Sequence, residues 1–147
     1  MATRSNIAII LKEEDKARVF AELNERLEKV GERFRYGVDN GNTLQIYCHW
    51  DGYPEGVGQD LLNDFNSYDE ALKLILKGDH STPYESYISG GEDWVSNRPE
   101  QRTQPGCLEA YLYVFKDGEW KMPTEDDAYE DLVDKDGYVS LKDYLLK

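Results

Sequence analysis

The stretch TLQIYCHWDGYPEGVG, residues 43–58, decides the fold, because it passes from a strand pattern directly into the start of a helix. Between Thr43 and Trp50 two sets of residues alternate with the period of a half-buried strand, namely Leu44, Ile46 and Cys48 against Gln45, Tyr47 and His49. If no bulge intervenes, Tyr47 and His49 share the face opposite Cys48. Residues 51–54 then turn the chain, and Pro54 suits the first position of a helix.

The segments on either side extend this alternation of strands and helices. Residues 5–11 are rich in β-branched side chains and predict a buried first strand. Residues 13–30 predict an amphipathic helix ended by Gly31, with an apolar stripe of Phe20, Leu23, Leu27 and Val30. After Pro54 a second stripe follows, and the Ser67–Glu70 capping box begins another helix that Gly78 ends.

The remaining pattern predicts further strands and one long connection. A short strand is expected at 34–38, a hairpin from strands 108–116 and 119–122, and a last short helix at 140–145. Residues 79–105 are polar and interrupted by Gly and Pro, which predicts a long irregular region. The order predicts an α+β fold, a mostly antiparallel sheet packed against helices, in one domain spanning 1–147.

The charge is unevenly distributed and limits the classes of partner. The chain has a net charge of −13, and residues 37–147 carry 23 acids against nine bases. A nucleic-acid backbone would be repelled, so direct nucleic-acid binding is disfavoured. The segment 124–136, with seven acids and one lysine, is expected to be solvated. The acidic surface either keeps the protein in solution or imitates nucleic acid toward a basic partner.

Hydropathy and cysteine content predict a cytoplasmic protein. No apolar run approaches the roughly 20 residues of a membrane span, and the start has no signal-peptide pattern. Two cysteines, Cys48 and Cys107, make neither a disulfide framework nor a zinc set, so both are expected to be buried thiols in a reducing compartment.

The junction at 46–58 is the candidate site, because it concentrates flat and hydrogen-bonding side chains. His49 and Asp51 could act together on a ligand, or His49 could satisfy a local carbonyl while Asp51 begins the turn. Trp50 and Tyr53 could stack on a nucleobase or serve as packing. The N–H groups around Gly56 and Gly58 could bind an anion, although Glu55 and Asp60 oppose this.

Other chemistries fail on spacing. No nucleophile elbow is present, and Cys48 is expected to point away from His49, so no catalytic residue is assigned. The two histidines are 31 positions apart and match no zinc pattern. Residues 134–143 resemble half of a calcium-binding loop, but its first ligand would fall on Leu132, so a capped turn is predicted instead. No metal or cofactor is predicted.

Several segments, in order along the chain, resemble a family of small accessory proteins of tailed phages and prophages. They are Ala2-Thr3-Arg4-Ser5, the YCHWDGYPEGVG segment at 47–58, Leu76-Lys77-Gly78-Asp79, Gly91-Glu92-Asp93-Trp94, Tyr111-Leu112-Tyr113-Val114-Phe115 and Asp117-Gly118-Glu119-Trp120. Shorter members pass from the first strand to the second through a tight turn, so the helix at 13–30 resembles an insertion. The family has no assigned reaction.

The resemblance implies a context, the bacterial host cytoplasm, and a role against host defence. The first hypothesis is a non-enzymatic sponge that binds a nucleotide-derived small molecule. A homo-oligomer is compatible with it, because sponges of this size commonly build sites between protomers. The predicted ligand-binding residues are Arg4, Tyr47, His49, Trp50, Asp51, Tyr53, Gly56, Gly58 and Trp94. The second hypothesis is an acidic inhibitor that docks segment 124–136 on a basic host protein. The third is a small nucleotide-acting enzyme with His49 as base.

Overall fold

The computed structural model describes residues 3–86 and 94–146, and the statements below refer to these residues. Ala2 and the Gly91-Glu92-Asp93 part of the sequence resemblance lie outside them.

One mostly antiparallel sheet organises the described chain. Its strands are β1 (Ser5–Ile10), β2 (Thr43–Cys48), β3 (His80–Thr82), β4 (Glu85–Ser86), β5 (Glu100–Arg102), β6 (Tyr111–Lys116), β7 (Glu119–Pro123) and β8 (Tyr138–Ser140). Seven strands lie in the order β4-β3-β2-β1-β6-β7-β8, and β5 pairs with β2 beside β3. Only the pairs β1–β6 and β2–β3 are parallel. The predicted α+β class and mostly antiparallel sheet are confirmed.

The helices cover one face of this sheet. They are α1 (Lys16–Lys29), α2 (Gln59–Asp64), α3 (Tyr68–Leu76) and α4 (Leu141–Leu146), with a π-helical turn at Pro54–Gly58 directly before α2. A single large core joins them to the inward-facing strand residues, including Ile7, Ile46, Cys48, Phe115 and Trp120. One sheet and one main core make a single α+β domain.

The other face of the sheet is covered by the chain that follows β5. The Gln45 amide donates to the Gly106 carbonyl at 2.7 Å and accepts from the Gly106 N–H at 3.0 Å. The Asn6 side-chain oxygen accepts from the N–H groups of Leu108 and Glu109. Buried polar side chains of β1 and β2 therefore replace strand pairing as the anchors of this connection.

Several local predictions hold. The strand alternation in residues 43–48 is confirmed, since Leu44, Ile46 and Cys48 belong to the main core. The Ser67 hydroxyl accepts from the Glu70 N–H at 3.1 Å, and Gly78 ends α3 at a φ of +91°. The capped turn near the carboxyl end is also confirmed, because the Asp134 carboxylate accepts from the N–H groups of Asp136 and Tyr138.

Other local predictions are wrong. Residues 34–38 form no strand, because the backbone of Tyr36 bonds to the Asn24 amide and that of Gly37 bonds to the Gln101 amide instead of to a strand. Residues 79–105 contain β3, β4 and β5, whose two or three residues are too short to show a period. Val30 is exposed rather than part of the α1 stripe, and Cys107 is exposed rather than buried.

The acidic segment is largely exposed, as predicted, and Asp134 is its one acid that is partly buried. Asp134 lies 3.0 Å from the Lys121 ammonium and 3.3 Å from that of Lys116. Two backbone N–H groups and two ammonium groups outweigh its partial burial and hold the pKa of the Asp134 carboxyl far below its usual range. This carboxylate therefore ties the segment to β6 and β7.

Trp120 is the side chain whose truncation tests the core most directly. Its ring is fully buried, packs edge-to-face on Phe115 and donates from Nε1 to the Phe65 carbonyl at 3.0 Å. We expect Trp120→Ala to lower the free energy of unfolding by about 3–5 kcal/mol in urea denaturation, because it leaves both a cavity and an unpaired carbonyl. Leu108→Ala, at a side chain 61% exposed, should change it by less than about 0.5 kcal/mol. Equal effects would contradict this account of the core.

Candidate recognition face at the end of β2

The turn after β2 is held by hydrogen bonds to the neighbouring strands on both sides. The N–H groups of His49 and Trp50 donate to the carbonyls of His80 and Ser81 at 3.0 and 2.8 Å. Gly52 donates to the Thr3 carbonyl at 2.8 Å, and a Cβ at Gly52 would lie 2.8 Å from that oxygen. Asp51 takes a φ of 54°, a left-handed conformation that Asp tolerates. The backbone conformation of the turn is therefore fixed by hydrogen bonds to the neighbouring segments and by close packing at Gly52.

The glycines of the junction lie in a closely packed turn, and anion binding by the N–H groups around Gly56 and Gly58 stays a prediction. The N–H of Gly56 donates to the Tyr53 carbonyl at 2.9 Å, and that of Val57 donates to the Asp51 carbonyl at 2.7 Å. A Cβ at Gly56 would lie 2.3 Å from the Asp51 oxygen, and one at Gly58 would lie 3.2 Å from the Leu141 side chain. The turn consumes these donors internally, and it packs too closely for larger side chains.

Tyr47, His49 and Trp50 form one connected group. The Tyr47 hydroxyl lies 2.6 Å from His49 Nδ1, which confirms that the two side chains share a face. The His49 and Trp50 rings meet edge-to-face at 4.6 Å. The Trp50 ring is nevertheless 48% exposed, so it is held in orientation while it remains open to solvent.

His49 and Asp51, which the sequence predicted to act together, contact different side chains. β2 ends at Cys48, so the strand alternation that would align the two side chains no longer applies at Asp51. The Asp51 carboxylate accepts from the Tyr53 hydroxyl at 3.4 Å, whereas His49 contacts Tyr47 and Trp50. The junction thus contains two side-chain groups rather than one acid–base pair.

Exposed aromatic rings and carboxylates together form what we call the acidic aromatic face. It comprises Trp50, Tyr53, Tyr84, Asp51, Asp60 and Asp64. The three rings are 48%, 39% and 55% exposed. Tyr84 contacts the end of α2. Its hydroxyl donates to the Asp64 carboxylate, and its ring centre lies 5.6 Å from that of Phe65. The turn after β3 and helix α2 therefore extend the junction into a broader surface.

The carboxylates of this face lack neutralising partners. In the described part of the chain, no Lys or Arg nitrogen lies within 4.0 Å of the carboxylates of Asp51, Asp60 or Asp64. Partial burial, followed by the charges of Asp64 and Asp51, raises the pKa of the Asp60 carboxyl. Hydrogen bonding to Asp64 raises the pKa of Tyr84 to about 12. The face therefore carries uncompensated negative charge.

Arg4 and Trp94 end up in different places. Arg4 is exposed, and its backbone lies against Gly52, so it adjoins the junction as predicted. Trp94 is buried, donates from Nε1 to the Leu76 carbonyl at 3.0 Å and stacks under the Arg26 guanidinium at 4.0 Å. It packs between α1 and the end of α3, so its placement in the predicted pocket is wrong.

The second histidine, His80, was not predicted as a functional residue. It pairs with Cys48 across the parallel β2–β3 contact, and Cys48 pairs with Ser5 of β1. All three side chains are buried, and neither ring nitrogen of His80 has a hydrogen-bond partner among the described residues. Only the pairing of β2 with β3, which the sequence did not reveal, brings His80 beside Cys48.

Burial is the main cause of the pKa shifts of His80 and Cys48. It lowers the pKa of His80 to about 4, with a smaller contribution from Lys77. It also raises the pKa of the Cys48 thiol to about 12. The imidazole and the thiol are therefore both neutral near pH 7, and they are enclosed, which suits packing rather than nucleophilic chemistry.

Comparisons with protein-family models, with curated proteins and with solved structures found no match. The function must therefore be argued from the site itself.

Within 3–86 and 94–146, no group of three or more His, Cys, Asp or Glu side chains is arranged to hold a metal ion. None of the helices found there is long and apolar enough to cross a membrane.

The lowered pKa of the buried His80 predicts that the protein loses stability in mild acid. Its folded-state pKa of about 4 lies below the unfolded value of 6.5, so the unfolded chain binds the proton first as the pH falls. Stability is therefore full above pH 6.5 and should decrease by up to about 3 kcal/mol as the pH falls to 4. Urea denaturation of wild type and His80→Leu across this range should show a smaller loss in the variant.

The control for this measurement is His49→Gln, because His49 is the other histidine of the chain. It should lose stability with pH as the wild type does. A His80→Leu profile parallel to that of the wild type would show that carboxyl groups alone control the acid response.

Proposed function

We propose that this protein acts by binding, without turnover, and that its acidic aromatic face docks on a basic surface of a partner protein. The observation that carries the proposal is the combination of three exposed rings with three carboxylates that have no Lys or Arg partner in the described chain. Trp and Tyr dominate the energetics of protein interfaces, and their faces attract Arg and Lys cations.

The charge of the face favours a basic protein over a nucleotide. A phosphate placed beside Trp50 and Tyr53 would meet the field of Asp51, Asp60 and Asp64. Partial burial, and after it the charges of Asp64 and Asp51, already raise the pKa of Asp60. A guanidinium or ammonium group would relieve the same repulsion. The net charge of −13 would also speed encounter with a basic partner at low ionic strength.

The resemblance to accessory proteins of tailed phages and prophages supplies the proposed context. The partner would be a defence protein or a nucleic-acid-binding protein in the bacterial host cytoplasm, and binding would block its basic surface. This places the proposed contact on the end of β2 and on α2, whereas the sequence pointed to segment 124–136. Asp134 of that segment is engaged by Lys116 and Lys121.

Matched double variants separate the two surfaces. Immobilised protein would capture a partner from bacterial lysate, and the affinity of the purified partner would be measured by calorimetry. Trp50→Ala with Asp60→Asn should raise Kd about 30-fold, the equivalent of 2 kcal/mol. Leu132→Ala with Asp131→Asn removes a comparably exposed apolar side chain and one acid from segment 124–136, and it should leave Kd within about threefold.

Raising the salt concentration from 50 to 500 mM should weaken the wild-type complex steeply, because its attraction is between charges. A Kd that changes only in the Leu132→Ala, Asp131→Asn variant would move the docking site to the acidic segment. A complex insensitive to both salt and the Trp50 variant would overturn the proposal.

A nucleotide-derived ligand at the junction is the second candidate, and the position of Arg4 favours it. Its backbone lies against Gly52, so Arg4 adjoins the turn that carries Trp50 and Tyr53. Arg4 would bind phosphate and Trp50 would stack on a base.

This candidate predicts that one member of a panel of cyclic oligonucleotides and ADP-ribose derivatives raises the Tm. The shift should disappear in Arg4→Ala and Trp50→Ala, and it should persist in Arg33→Ala, where another exposed arginine is removed. Absence of any shift with folded protein would eliminate this candidate and leave the protein-docking proposal intact.

A further inference from the structure

A broad cleft lies at the end of the sheet away from the junction. It has a volume of about 730 Å³ and is lined by Lys12, Tyr68, Phe115, Lys116, Lys135 and Asp136, among others. Because β1 runs antiparallel to β2, Lys12 follows the end of β1 that is distant from Cys48. This cleft, which we call the lysine cleft, therefore shares no residue with the acidic aromatic face.

The lysine cleft is locally cationic in a strongly acidic protein. Three lysines and two aspartates, Asp117 and Asp136, line it. Asp136 is engaged by Lys116 at 2.9 Å, and Asp117 lies 3.5 Å from Lys121. In the described chain, neither Lys12 nor Lys135 has a carboxylate oxygen within 4.0 Å of its ammonium group. Two uncompensated ammonium groups therefore border one cavity.

The cleft also has an ordered apolar wall. The Lys12 ammonium lies 4.5 Å from the centre of the Tyr68 ring, and the Lys12 backbone N–H donates to the Tyr68 hydroxyl at 3.0 Å. Tyr68 packs on Phe115 at 6.4 Å between ring centres, and Ile10 borders the same space. Lys12 is thus anchored through its backbone, and its ammonium group lies over the face of the Tyr68 ring.

These two properties together specify a ligand class. We propose that the lysine cleft binds a small phosphate monoester that carries an aromatic body. Lys12 and Lys135 hold the phosphate, and Ile10, Tyr68 and Phe115 contact the ring. The volume falls within the range of about 300–1,000 Å³ of pockets for small molecules. Ammonium groups match a phosphate dianion as point charges, and the doubled charge favours phosphate over a carboxylate.

Four simple compounds separate the contribution of the phosphate charge to binding from that of the aromatic ring. Calorimetry and ¹H–¹⁵N NMR titration of the full chain would use phenyl phosphate, inorganic phosphate, phenol and benzoate. We expect phenyl phosphate to bind at least tenfold more tightly than inorganic phosphate, which lacks the ring, and than phenol, which lacks the charge. Amide shifts should centre on Lys12, Tyr68 and Lys135. Benzoate should bind more weakly than phenyl phosphate.

Charge-removing variants test the assigned residues. Lys12→Gln and Lys135→Gln should each weaken phenyl phosphate binding about tenfold, whereas Lys73→Gln, at the 70%-exposed lysine in the last turn of α3, should not. Their Tm values should stay close to that of the wild type, because neither Lys12 nor Lys135 has an ion pair to lose within the described structure.

Three results would overturn the inference. They are no binding of phenyl phosphate by folded protein at millimolar concentration, equal weakening in Lys73→Gln, and amide shifts centred on Trp50 rather than on Tyr68. A fourth result, benzoate binding as tight as phenyl phosphate, would refute the assignment of phosphate. None of these results bears on the proposed docking of a basic protein, which uses other residues at the other end of the sheet.

Discussion

Strand β1 is the constraint on which the rest of the structure depends, because it is buried on both faces and paired along both edges. Ile7 and Ile9 face the helices, while Ala8 contacts Leu112 and Val114 on the other side. Its antiparallel partner β2 and its parallel partner β6 both follow its register. Just before β1, the Thr3 carbonyl accepts from Gly52. The register of the central strand therefore also positions the turn that displays Trp50 and Tyr53.

The two ends of the sheet carry opposite local charge. At one end, Asp51, Asp60 and Asp64 lie among exposed rings, and partial burial together with the charges of Asp64 and Asp51 raises the pKa of Asp60. At the other end, lysines converge on one cleft, and Asp134 is held ionised between Lys116 and Lys121. The net charge of −13 is a sum over the whole chain and does not show this difference between the two ends. The separation gives the two ends of the sheet different local charge, on which the two proposed binding surfaces are based.

Sequence reasoning recovered features whose cause is local. The alternation in β2 placed Tyr47 beside His49 and apart from Cys48, and Ser67 caps α3 as its spacing predicted. It failed where the partner is distant in the chain. Asn24 and Gln101 bind the backbone at Tyr36 and Gly37 and prevent a strand there. Trp94, which the sequence grouped with the junction, packs on Leu76 and Arg26 instead.

The sequence by itself determined the α+β class, the main helices and strands, and the junction at residues 46–58, because hydrophobic period and turn residues act within a few positions. Only the tertiary structure decided which carboxylates surround Trp50, that His80 lies beside Cys48, and that Lys12, Tyr68 and Lys135 border one cleft. These relations arise from strand order and from helices closing over the sheet. Cys48 and His80 are 32 positions apart and Lys12 and Tyr68 are 56 apart, and no local pattern encodes such a meeting.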